Sequence, residues 1–424
     1  MKYLWIFVLT LTTLVGLPQA PSELTIIRDI IYYQGPDYDS ANQPEPLLFR
    51  HHFITSNIPD EDRFRFGTPV LADLDNDGDL DYAFSTAGGD FLWYEYQDAD
   101  TWVPHPVGDV PTYQLGGTHL DVDRDGWTDL IAGGVWFRNP QDPKEQEFTR
   151  YIYDDSIKTE IHDIIVEDMD GDGKSEVLAL GDREGCFIYH IPDNPAEEPW
   201  IKDTVTLEVL NDLADIHAGI FPRGVGDLDG DGDLDIVMPG RWYQNHGGTW
   251  KRMFLPYGSA GYWGLSCRSW VIDLDADGDQ DIVMVGGDQV DSRGAWLENN
   301  GQSNPQFDIH LLPLSAPGRR GSFHSLAVAD FDLDGDPDIF TMEQEDDKIL
   351  PEGATPKGYM WENLGSGSFR ELVVFDQVLG GHDALVGDVD QDGDLDICFK
   401  VWKSWSQNAN GGNAHAGFLE NLSK

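Results

Sequence analysis

Asp273-Leu-Asp-Ala-Asp-Gly-Asp-Gln-Asp-Ile-Val-Met-Val285 sets five carboxylates at alternate positions around Gly278 and runs straight into an apolar, β-forming segment. Glycine at position 6 permits a sharp turn, and aspartates at positions 1, 3, 5 and 9 offer hard oxygen donors. That set suits Ca²⁺ better than Mg²⁺, which demands stricter octahedral geometry. The pattern D-x-D-x-D-G-x-x-[D/E] begins seven times, at Asp73, Asp121, Asp168, Asp227, Asp273, Asp330 and Asp388, with spacings of 46 to 59 residues. Seven copies at such a period mark a repeat architecture rather than several unlike domains.

The predicted ligands follow copy by copy. They are Asp73, Asp75, Asp77 and Asp81; Asp121, Asp123, Asp125 and Asp129; Asp168, Asp170, Asp172 and Glu176; Asp227, Asp229, Asp231 and Asp235; Asp273, Asp275, Asp277 and Asp281; Asp330, Asp332, Asp334 and Asp338; and Asp388, Asp390, Asp392 and Asp396. Position 7 is Asp in five copies but Trp127 in the second and Lys174 in the third, so a backbone carbonyl is expected to serve there. Each loop offers a filled cage rather than an open coordination position, which points to a structural ion. The opposing reading is a solvated acidic turn without metal.

Every copy sits in the same frame. A β-rich strand precedes the aspartates, as in His324-Ser-Leu-Ala-Val-Ala, and another follows, as in Asp281-Ile-Val-Met-Val. An aromatic strand comes next: Trp93-Tyr-Glu-Tyr, Trp136-Phe-Arg-Asn, Trp242-Tyr-Gln-Asn, Trp296-Leu-Glu-Asn. A fourth alternates, as in Phe369-Arg-Glu-Leu-Val-Val. Four short strands per period, here named A to D, describe a β-propeller blade. The chain finishes on Phe418-Leu-Glu-Asn-Leu, a strand C without its D, while Phe49-Arg-His-His-Phe-Ile-Thr is a D-like strand without its A to C. The N-terminal segment is therefore expected to complete the last blade and lock the ring. This predicts an all-β, seven-bladed propeller over residues 49–424, with 21–48 as an extension.

These repeats resemble the FG-GAP/VCBS repeats of seven-bladed calcium-binding propellers found in integrin heads and many secreted bacterial proteins. The resemblance implies fold and calcium; it leaves function open, because such propellers serve adhesion, lectin-like and enzymatic roles. Gly134-Val-Trp-Phe-Arg-Asn-Pro140 and the histidine-bearing A strands are also similar to the propeller part of aldos-2-ulose dehydratases and to propeller polysaccharide lyases.

The formal charge is −50, from 77 acids against 27 Lys and Arg over 424 residues. Of those acids, 33 stand at positions 1, 3, 5, 7 and 9 of the loops, so the acidity is largely a metal-site signature. Disorder does not fit a chain with 14 Trp, 15 Tyr and 20 Phe. Nucleic-acid binding would need a basic footprint. Residues 1–20, MKYLWIFVLTLTTLVGLPQA, read as a secretory signal peptide, with an uncleaved anchor as the alternative; a secreted or periplasmic protein with no stable membrane span is expected. Cys186, Cys267 and Cys398 are odd in number and far apart, which argues against a disulfide framework.

If the A–B loops hold calcium at one end, function is expected at the other. There, six residues before the first loop aspartate, stand His162, His324 and His382, with Arg223 and Arg268 similarly placed. Arg241, Glu343, Lys400 and Trp402 mark the ends of B strands, and Tyr262 lies on a D–A connection. A lyase or dehydratase acting on an acidic sugar would use Arg268 or Arg223 against the acid group, His324 or His382 as base, and Tyr262 or Lys400 as proton donor. Alternatively His324, Glu343 and His382 hold a divalent ion. The partner expected is an acidic oligo- or polysaccharide or another extracellular ligand. A non-catalytic binding or adhesion module is the competing reading.

Overall fold

The computed structural model describes residues 47–423 apart from 59–64, 87–88, 112–113, 182–183, 208–215, 259–263, 316–318 and 366. The signal-peptide reading, nearly all of the 21–48 extension and Tyr262 lie outside the described residues. Among the described residues every regular element is a strand, and no helix is long and apolar enough to cross a membrane.

The strands form seven small antiparallel sheets, each in the order A-B-C-D. Blade one is Phe66–Ala72, Asp81–Thr86, Asp90–Asp98 and Thr101–Asp109. In blade seven the order is Phe49–Thr55, Ala416–Asn421, Asp396–Lys400, His382–Gly387, so the N-terminal strand is its outer member. Phe49 pairs with Asn421 and His52 with Phe418. The inner strand of blade one touches those of blades two and seven, which closes the ring.

The core is divided like the chain. Seven hydrophobic clusters occur, one at each interface between consecutive blades. Trp93, Trp136, Trp242 and Trp361 of the C strands are fully buried in them, which is the packing role expected of so much apolar area. The three cysteines are buried and free.

Strand C also carries a clamp. Asn139, Asn299, Asn363 and Asn421 each donate an amide hydrogen to a main-chain carbonyl of the preceding blade, at Leu74, Leu228, Leu274 and Phe331. In these four blades a hydrogen-bonded asparagine beneath the acidic loop thus fixes blade against blade.

Blade four departs from the pattern. Its inner strand is broken at Gly224: Val225–Gly226 pairs within the blade, while Pro222–Arg223 pairs in parallel with Ser269 and Trp270 of blade five.

Candidate functional site: two ends of the ring

All seven A–B connections lie at one end and share one construction. The position-1 carboxylate accepts the N–H of the position-6 glycine in six blades, as in Asp273 to Gly278 at 3.1 Å. The position-5 carboxylate accepts the N–H of position 7 in all seven, as in Asp172 to Lys174 at 2.8 Å. Position 9 is buried and accepts the position-2 N–H, as in Asp81 to Leu74 at 2.9 Å; its second oxygen takes an N–H of strand C in every blade but the third.

These carboxylates are crowded and poorly solvated. Burial, with neighbouring carboxylates adding to it, pushes Asp81, Asp338 and Asp396 up to about 8 and Asp129, Asp235 and Asp281 to about 7. Asp73, Asp79, Asp123, Asp279, Asp388 and Asp394 each keep a buried oxygen without a hydrogen-bond partner. Donor atoms of Asp73, Asp75 and Asp81, and of Asp121, Asp123 and Asp129, lie within 4.8 Å of one another. Orphaned hard oxygens at this spacing fit a calcium ion, which would keep the carboxylates ionised.

At the opposite end the early residues of the A strands and the last residues of the B strands meet near the axis. Arg268 Nη2 lies 2.8 Å from His324 Nδ1 and 2.7 Å from Asp383 Oδ1. Lys400 Nζ reaches Asp383 Oδ2 at 3.0 Å and His382 Nδ1 at 3.4 Å. His382 Nδ1 is 2.7 Å from Asp383 Oδ2, and His324 Nε2 is 3.2 Å from Asp288 Oδ2. The two imidazoles stack at 3.9 Å, and Trp402 stacks on the far side of His382 at 5.1 Å. His162 joins from blade three through Asp163, whose carboxylate accepts main-chain N–H groups of Gly219, Ile220 and Phe221.

A local irregularity lets neighbours in sequence share this cluster. On a regular strand His382 and Asp383 would point to opposite faces. Here the pairing with strand B shifts between His382 and Leu385, and Asp383 has φ of 52°. A bulge of this kind re-aims a side chain, and non-glycine residues hold positive φ only where their surroundings over-determine it.

The cluster is internal. Arg268 is 1% exposed, His324 and His382 2%, Lys400 0% and Asp383 5%. Burial drives the His382 imidazole well below its ordinary value and lowers Lys400; for Asp383, the adjacent His382, Lys400 and Arg268 outweigh burial and hold the carboxyl well below its usual range.

Four sequence candidates, Arg268, His324, His382 and Lys400, are therefore brought together, and three are placed elsewhere or not described. Arg223 lines an axial cavity of about 310 Å³ with Trp270 and Glu167, displaced by the break in strand A of blade four. Glu343 is tied to the main-chain N–H groups of Gly321 and Lys357, away from the stacked histidines. Asp383 stands where Glu343 was expected, with donor atoms of His324, His382 and Asp383 within 4.8 Å of one another. Tyr262 lies outside the described residues. Four cations of this end are held in ion pairs: Arg319, Arg320, Lys357 and Lys403 with Asp291, Glu371, Asp376 and Asp346.

Buried neutral histidines make the ring acid-sensitive. Desolvation first of all lowers His162 and His415 from 6.5 to about 4. A depressed histidine contributes stability fully above its unfolded value of about 6.5, lost as pH falls toward and past 4. Each group is worth about 3 kcal/mol across that window. The loop carboxylates titrate over the same range with the opposite sign, so the histidine contribution is read as a difference. In urea titrations from pH 7.5 to 4.5 the stability of wild type relative to His415→Asn should fall as pH falls, and a constant difference would refute the assignment.

Fold and loops together define a seven-bladed β-propeller with an acidic turn between the two innermost strands of every blade. Residues 273–341 match the FG-GAP-like repeat family. Among solved structures, the chain is similar to BBS1N in complex with ARL6DN, with 10% identity, a TM-score of 0.46, and 85% of this chain and 93% of that one covered. It is also similar to the intramolecular trans-sialidase from Ruminococcus gnavus in complex with oseltamivir carboxylate, with 12% identity, a TM-score of 0.42, and 86% and 96% covered. No curated protein matches the sequence.

Proposed function

We propose that this is an exported propeller that carries calcium in its A–B loops and acts on an acidic carbohydrate at the opposite end, as a lyase or dehydratase. The observation that supports it is the meeting of Arg268, His324, His382, Asp383 and Lys400 within hydrogen-bonding distance across blades five to seven. The cluster combines a neutral imidazole as base, a carboxylate that orients it, a lysine acidified by burial and a fixed guanidinium. In such an elimination, His382 takes the proton α to the substrate carboxylate. The C–H electron pair becomes the new double bond, the β C–O bond breaks, and Lys400 protonates the departing oxygen. Arg268 offsets the charge that gathers on the carboxylate.

The near-complete burial of the same five side chains favours a second reading, a non-catalytic binding module whose cluster braces the blades. The two part in one assay. Incubation with a panel of acidic polysaccharides should generate the ultraviolet absorbance of an unsaturated product, abolished by His382→Ala and Lys400→Met. Retained binding with no product from any substrate would sink the lyase and leave the binding module.

A further inference from the structure

We infer that the seven acidic loops are unequal: those of blades one and two are neutralised by cations of the chain itself, Lys144 and Arg138, and hold calcium more weakly than the other five. The inference rests on the calcium reading above. Its basis is one position of strand C, two residues after the strand's inter-blade aromatic or apolar residue. That position is Glu95, Arg138, His190, Gln244, Glu298, Glu362 and Glu420 in blades one to seven.

In blades one to four this side chain adjoins the position-3 aspartate of its own loop. Arg138 Nε is 2.5 Å from Asp123 Oδ2, and His190 Nδ1 is 3.7 Å from Asp170 Oδ2. Gln244 donates to Asp229. Glu298, Glu362 and Glu420 occupy the same position in blades five to seven.

Blade two shows the substitution most fully. Arg138 Nη2 meets Asp125 Oδ2 at 3.2 Å, and Gln141 Nε2 donates to that same oxygen at 2.9 Å. The other oxygen of Asp125 accepts the Trp127 N–H at 3.1 Å. Both oxygens of a predicted ligand are thus committed to the chain. A guanidinium stays charged at any accessible pH, so calcium must either displace it or sit beside it.

Blade one is supplied from its neighbour. Lys144, just beyond strand C of blade two, places Nζ 2.5 Å from Asp75 Oδ2, 2.5 Å from Glu95 Oε1 and 3.7 Å from Asp77 Oδ2. The ammonium therefore takes the side of the loop where positions 3 and 5 present their oxygens. In blades five to seven the glutamate is held from the other direction. Glu298 pairs with His310 at 2.7 Å, Glu362 with Arg370, and Glu420 with Arg50 and His52 at 3.1 Å. Those partners sit on D strands, as does His105, which meets Glu95 at 2.9 Å in blade one; among the described residues, only there does a lysine join from the neighbouring blade.

Calorimetric titration of the calcium-stripped full chain with CaCl₂, counted in parallel by native mass spectrometry, tests the inference. Two sites should be weaker than the other five by about tenfold or more, as expected from a like charge within a few ångströms. Arg138→Gln and Lys144→Gln should each convert one weak site into a tight one. Glu298→Arg, the reverse change in blade five, should weaken one tight site and serves as a control that does not depend on blades one and two. Seven equivalent sites, or glutamine variants that leave the count unchanged, would overturn the inference. A wild-type chain that binds no calcium would overturn the calcium reading itself, a distinct result.

Discussion

Deleting residues 1–56, or replacing Phe49 with Asp, should abolish the single cooperative melting transition rather than trim its midpoint. Phe49–Thr55 is the outer strand of blade seven and pairs with Ala416–Asn421. Phe49 is fully buried and meets Phe331 edge-on at 6.1 Å, and His51 packs against Phe375 at 5.2 Å. His52 bridges Asp100 of blade one and Glu420 of blade seven at 2.7 and 3.1 Å. Loss of one large buried side chain costs about 3–5 kcal/mol, against a total stability on the order of 5–15 kcal/mol. Removing the strand deletes several at once and bares a sheet edge. Differential scanning calorimetry measures the outcome, and a truncated chain melting within about 2 °C of the full one would show that the ring does not depend on this seam.

Chelation should produce the second large effect. Under the proposed calcium reading, each tight loop contributes about 2.7 kcal/mol when free calcium exceeds its Kd a hundredfold, because the ion binds the folded loop alone. Several loops act together, so adding EDTA should lower the melting temperature by roughly 10 °C or more. The clustered carboxylates explain the direction. Without a cation, Asp81, Asp338 and Asp396 are driven up to about 8 by burial, so ionising them at neutral pH costs stability. An unchanged melting temperature in EDTA would refute the calcium reading.

The blades were legible because each loop announces itself through residue types that few other structures need, and the ring seam through a strand C and a strand D left over at opposite ends of the chain. The grouping of His324, His382, Arg268 and Lys400 was legible from their offsets to the loop aspartates. Their acidic partners were hidden among 77 acids, though a usable signal existed: His162-Asp163 and His382-Asp383 are the same dipeptide at the same distance before their loops. Arg223 escaped because offset counting assumes an unbroken strand, and Gly224 breaks this one. Glu343 escaped because its partners are main-chain N–H groups, which no residue type advertises. Lys144 was invisible for a different reason: it works on a blade other than its own.

The separation of the loops from the histidine cluster has an electrical consequence. The loop end gathers 33 acids of the repeats with few cations among them, such as Lys144, Arg138 and Lys174, while the other end pairs carboxylates with Arg268, Lys400, Arg319 and Lys403. Such an object is a dipole along its own axis. Within a Debye length, about 8 Å at physiological salt, a polyanion is repelled by the acidic rim and meets less resistance where carboxylates are paired with cations. Under the proposed function, a long acidic chain would approach end-on, toward the end that carries Trp402, before any contact selects it. Calcium in the loops, as proposed, would weaken that bias, so its occupancy and the encounter rate of an anionic partner would be linked through charge alone.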